Sequence, residues 1–127
     1  MAGTAICIAV AGVVHATLPV AEFTLAWDHS VEKTRWEERY RSDGAKLHLV
    51  EARAQGLGAG MEPPEGAVLR GGWWSWKPAL APLGELRLTY STFTRDYTVC
   101  TRQRCATLRA LLGTEPAQGE IVEVRVC

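Results

Sequence analysis

Apolar and polar positions alternate along most of this chain. Phe23, Leu25 and Trp27 are interleaved with Glu22, Thr24 and Asp28, and Trp36 and Tyr40 with Arg35, Glu37, Arg39 and Arg41. Leu47 and Leu49 alternate with Lys46 and His48; Leu86, Leu88 and Tyr90 with Arg87 and Thr89; and Val122, Val124 and Val126 with Glu123 and Arg125. A period of two marks strands with one buried and one wet face. The pattern predicts strands over Ile6–Val10, Val13–Leu18, Glu22–Val31, Arg35–Arg41, Lys46–Ala54, Trp73–Lys77, Glu85–Phe93, Tyr97–Cys100 and Ile121–Cys127. The one helical stretch is "ATLRALLG", residues 106–113, long enough for two turns before Gly113 ends it. Many short strands joined by Gly/Pro punctuation give a single all-β domain, an antiparallel β-sandwich or small barrel with at most one short helix.

Two stretches need separate treatment. "AICIAVAGVVHA" reads as a hairpin, with β-branched residues on both sides of Ala11-Gly12. Its other reading is the apolar region of an export signal, with Val14 and Ala16 as the small residues. Residues 1–4 carry no positive side chain, which an export signal expects. The cytoplasm is therefore the default compartment and the periplasm the alternative. "QGLGAGMEPPEGAVLRGG", residues 55–72, is the main irregular segment. It matches neither a Walker loop nor the dinucleotide fingerprint. Its glycines suit either a compact loop at the rim of a pocket or a plain structural turn.

Composition narrows the function classes. With 127 residues, 14 Lys and Arg and 14 Asp and Glu, the chain is one domain of zero formal charge. It lacks the basic footprint that nucleic acid requires. No apolar run reaches the roughly eighteen residues of a membrane-spanning helix, so no membrane insertion is expected.

The candidate chemistry sits in "HSVEKTRWEERY", residues 29–40. Any hairpin register that places Trp27 and Trp36 on one face also places His29, Glu38 and Tyr40 there. A buried glutamate without a partner costs several kcal/mol, roughly, so Glu38 requires one, and His29 is the nearest by register. A His29–Glu38 pair in an aromatic wall can bind a polar ligand, act as an acid/base pair, or fix register. Glu51 shares parity with Leu47 and Leu49 and extends the same face; one histidine and two carboxylates make at most a weak metal site, and no HxH or HExxH spacing accompanies them. In "GWWSW", Trp74 and Trp76 share a face and Trp73 takes the other, as core or as a stacking surface. Ser30 points away from His29, and no GxSxG elbow exists, so a serine hydrolase is not indicated. No catalytic set, metal site or cofactor is assigned.

Cys7, Cys100, Cys105 and Cys127 allow three pairings. The four residues between Cys100 and Cys105 suit a disulfide across a tight hairpin better than a zinc knuckle. That leaves Cys7 with Cys127, and two disulfides point to an oxidising compartment. Four reduced, buried thiols in a cytoplasmic protein are the alternative.

"FTLAWDHSVEKTRWEERY", "GLGAGMEPPEG" and "GGWWSW" together resemble the domain of unknown function 1850 family, from about residue 5 to the final cysteine. This bacterial family is one whose genes often neighbour TRAP-type (TAXI) transporter genes. By motif match the resemblance marks His29, Ser30, Glu38, Gly58, Gly60 and Met61. Asp28 stands where relatives tend to have Thr. The family has no assigned reaction, so the resemblance supplies a setting. The expectation is a small accessory or solute-binding protein of such an uptake system. His29 and Glu38 would form its polar spot, with Trp27, Trp36, Tyr40, Glu51 and Trp74 around it and Gly58, Gly60 and Met61 at the rim. A transporter subunit and a small organic solute are the expected partners. The alternatives are a protein-interaction module without a ligand, and an enzyme that uses the His/Glu pair.

Overall fold

Ala11 and Gly12 form the two-residue turn between β1 (Ile6–Val10) and β2 (Val13–Leu18) in the computed structural model, which describes residues 5–28, 34–55 and 63–127. Both turn residues take positive φ, 51° and 79°, the geometry that matches the twist of paired strands. Alanine has no favourable left-handed conformation, whereas asparagine tolerates it. Ala11→Asn is expected to raise stability by about 0.5–1 kcal/mol, read as a higher urea midpoint; a lower midpoint would contradict the turn assignment.

On its other side β1 pairs antiparallel with β11 (Ile121–Val126), which pairs in turn with β8 (Leu86–Thr89). The order of this sheet is β2-β1-β11-β8. Register aligns Ile6 with Val126, Ile8 with Val124, and Val124 with Leu86, so one face is wholly aliphatic. Ile6, Ile8, Val122 and Val124 have no exposed surface.

The second sheet holds β3 (Glu22–Asp28), β4 (Arg35–Ser42), β5 (Leu47–Gln55), β6 (Val68–Arg70), β7 (Trp73–Trp76), β9 (Thr98–Cys100) and β10 (Cys105–Thr107), in the order β10-β9-β3-β4-β5-β7-β6. Phe23, Leu25, Tyr40, Leu47 and Val99 join the aliphatic face of the first sheet in one core. Two open antiparallel sheets make a sandwich and not a closed barrel. Helix α1 (Leu108–Leu112) covers one side, with Leu108 and Leu112 buried against β1 and β2. The Thr107 hydroxyl accepts the Ala110 N–H at its start, and Gly113 ends it at φ 75°.

The architecture departs from the alternation pattern in several places. β3 is described only to Asp28, because residues 29–33 lie outside the described set. β8 stops at Thr89, although the Tyr90 N–H still reaches the Glu120 carbonyl. β6 and β10 are three-residue strands, too short to register as alternation. β6 lies inside the segment read as irregular and turns into β7 through Gly71-Gly72, both at positive φ.

Candidate functional site

The pairing of β3 with β4 places Trp27 opposite Trp36, Leu25 opposite Glu38 and Phe23 opposite Tyr40. All six face the first sheet, so Glu38 does lie on the aromatic face. Along this face burial falls off. Phe23 and Tyr40 stack at 5.4 Å and are buried, whereas Trp27 and Trp36, stacked at 6.3 Å, are half-buried. Tyr97 tilts against Trp27 at 6.1 Å, and Trp76 meets Trp36 edge-on at 5.9 Å. Tyr97, Trp27, Trp36 and Trp76 form a continuous strip of half-exposed rings. Each such contact is worth about 0.5–1.5 kcal/mol beyond area burial.

Glu38 is half-buried beside this strip, and the Tyr40 hydroxyl donates to its Oε1 at 2.8 Å. Burial pushes the Glu38 carboxyl above its ordinary value, and the Tyr40 hydrogen bond offsets part of that. Burial, the Glu38 charge and this hydrogen bond together hold the Tyr40 phenol far up. Burial and then the Glu38 charge raise Tyr97 as well. Among the described residues, the buried Trp36 Nε1 has no hydrogen-bond partner. Among the described residues, no ion pair involves Glu38.

The carboxyl has a consequence for pH. The folded chain holds the Glu38 proton more tightly than the unfolded one, so its stabilising contribution is complete below the unfolded value of 4.5. It is lost as pH rises through the higher folded value. Glu38→Gln keeps an acceptor for Tyr40 without a charge to bury. Urea unfolding of the two proteins should therefore diverge as pH rises above 4.5, with the variant gaining on the parent. A variant that loses ground over that interval would contradict the desolvation argument.

The placement of Glu51 corrects the parity reading. The β4–β5 register shifts between Arg39 and Tyr40, pairing Arg39 with Glu51 but Tyr40 with Leu49. Val50 is the extra residue of this bulge, and it moves every later side chain of β5 to the other face. Ala52 and Ala54 line the aromatic face instead, while Glu51 lies outside, 3.8 Å from Arg39. That outer face is a two-sign ladder in which Arg53 contacts Glu37 at 2.8 Å and Arg39 contacts Glu22 at 3.2 Å. Arg53 also lies over the Trp73 ring at 4.4 Å. Trp74 is on the inner side, opposite Ala54. His48 is spent on Asp43 at 2.6 Å, inside a turn that also takes the Ala45 and Lys46 N–H groups. That set holds the Asp43 carboxyl far down, the His48 hydrogen bond first.

His29, Ser30, Gly58, Gly60 and Met61 lie outside the described residues, and with them the expected His29–Glu38 pair. Among the described residues, no three His, Cys, Asp or Glu side chains group so as to hold a metal ion. Trp76 and Tyr97 belong to the strip, although the sequence reading did not place them there. Both were within reach of parity, Trp76 through Trp74 and Tyr97 through Val99, which pairs with Leu25. Beside the Trp27–Tyr97 end lies a cavity of about 350 Å³, also lined by Asp28, Thr89, Arg95 and Asp96.

Both disulfides match the expected pairing. Cys100 lies directly opposite Cys105 across the β9–β10 turn, and Cys7 bonds Cys127 across 120 positions. No described helix is long and apolar enough to cross a membrane.

The model of a family described as "Domain of unknown function (DUF1850)" matches residues 23–108, and the chain belongs to that family. The match spans β3 to the start of α1 and so contains the whole aromatic strip. No curated protein and no solved structure shows significant similarity to the chain.

Proposed function

We propose that this member of the domain of unknown function 1850 family is a small solute-binding or accessory protein of a TRAP-type (TAXI) uptake system, whose solute sits against the aromatic strip beside Glu38. One observation carries the solute reading: half-exposed rings and a half-buried carboxylate share the inner face of a sandwich, where complete burial is the rule. Apolar walls with a few convergent polar groups are the usual form of a small-molecule site. The transporter setting rests on the family resemblance. Two disulfides favour an oxidising compartment such as the periplasm.

A second reading, a partner-binding module with no solute, is favoured by β2. This edge strand carries no charged side chain, and its Val13 and Val14 are 60% and 44% exposed. Such an edge can accept a strand from another protein.

Native mass spectrometry of protein exported by its own host separates the two. The solute reading expects a co-purifying small molecule that is lost in Trp36→Phe and Glu38→Gln proteins with unchanged circular dichroism. A bare parent chain whose tryptophan fluorescence ignores the small-molecule fraction of the host would favour the β2 module.

A further inference from the structure

We infer that the solute of the aromatic strip is an organic cation, an ammonium or quaternary ammonium group, and not an organic acid; this rests on the solute-binding reading above. Register puts Arg35, Arg39 and Arg41 of β4, Arg53 of β5 and Arg70 of β6 on the outer face of the large sheet. Among the described strand residues, the inner face of that sheet carries no Lys or Arg, while Glu38 sits in its middle. An anionic solute would meet a carboxylate with no Lys or Arg from the described strands on that face to offset it, at a cost in a half-buried setting.

The rest of the strip favours the same sign. Indole and phenol faces present the negative side of their quadrupole, and cations lie over them readily. The cavity at the Trp27–Tyr97 end extends this character. Of its lining groups, Arg95 is directed to Asp28 at 3.5 Å, and Asp28 also takes Arg35 at 3.7 Å. Asp96 accepts the Arg109 N–H through Oδ2 at 2.8 Å, which leaves its Oδ1 buried and without a partner. A cation at this end therefore meets the Trp27 and Tyr97 rings beside the Asp96 carboxylate, with Glu38 on the same inner face as Trp27.

Tetramethylammonium, tert-butanol and pivalate share a shape and differ in charge, so they test the sign directly. Each is titrated into the full chain with tryptophan fluorescence as the readout. Tetramethylammonium is expected to bind roughly tenfold or more tighter than the other two. Glu38→Gln should erase about that factor for tetramethylammonium and leave tert-butanol unchanged. Thermal melting confirms that the variant is folded, and Trp36→Phe, with the carboxylate kept, reports the ring contribution separately. If pivalate binds best and gains in Glu38→Gln, the charge inference falls while the solute-binding reading stands. If none of the three shifts the spectrum at any concentration, both fall.

Discussion

Removal of the Cys7–Cys127 bond, by Cys7→Ser with Cys127→Ser, is expected to cost on the order of 5 kcal/mol. The bond joins positions 120 apart, and a cross-link closing so long a loop removes much of the freedom of the unfolded chain. Single domains are typically stable by only about 5–15 kcal/mol, so this loss is close to the whole margin at the low end. The Cys100–Cys105 bond spans five positions and restricts far less, about 2 kcal/mol on the same scale. Urea unfolding of the two double variants, each with and without reductant, checks the ranking. The Cys7/Cys127 variant should have much the lower midpoint, and reductant should lower it further only by the smaller contribution of Cys100–Cys105. Equal midpoints would mean that loop length is not what these bonds contribute.

Phe23→Ala is expected to cost about 3–5 kcal/mol, the largest effect of any single core truncation considered. Phe23 is 2% exposed, stacks on Tyr40 at 5.4 Å and sits in the core shared by both sheets. Its loss removes the stack on Tyr40, whose hydroxyl is committed to Glu38, and leaves a void in the shared core. Trp27→Ala, on the same strand but half-exposed, should cost distinctly less. A Trp27→Ala loss as large as that of Phe23→Ala would contradict the gradient of burial along this face. It would also weaken the case for an open aromatic strip.

The difference between these two aromatics was only partly legible in the sequence. Parity put Phe23, Leu25 and Trp27 together and placed Glu38 among them, because the β3–β4 ladder runs without interruption. Parity says which face a residue takes and nothing about how far the opposing sheet covers it, so the half-exposure of Trp27 and Trp36 was out of reach. Glu51 was misplaced for a related reason. Leu47, Leu49 and Glu51 are evenly spaced, but the bulge at Val50 adds a residue that no composition signal marks, and alternation silently inverts beyond it. Hydrogen-bond partners were less legible still. Tyr40, two residues along the same strand, donates to Glu38 and was not read as its partner, whereas the expected partner His29 lies outside the described residues. The Cys100–Cys105 pairing was legible because it depends on short-range geometry, the two flanking a four-residue turn; Cys7 and Cys127 then remained as a pair near the two ends of the sequence, and the adjacency of β1 and β11 that joins them came only with the structure.

The bond between Cys7 and Cys127 also decides how the molecule answers a mechanical load. Cys127 donates its N–H to the carbonyl of Ala5, so the outermost strands of the chain run side by side where the sulfurs join. Tension applied outside the two cysteines crosses the sulfur bridge directly and never reaches the sheets enclosed between them. A pulling motor would stretch only the chain outside the two cysteines and stall against a folded body. Under reducing conditions the same pull would unzip β1 from β11 first, one register pair at a time.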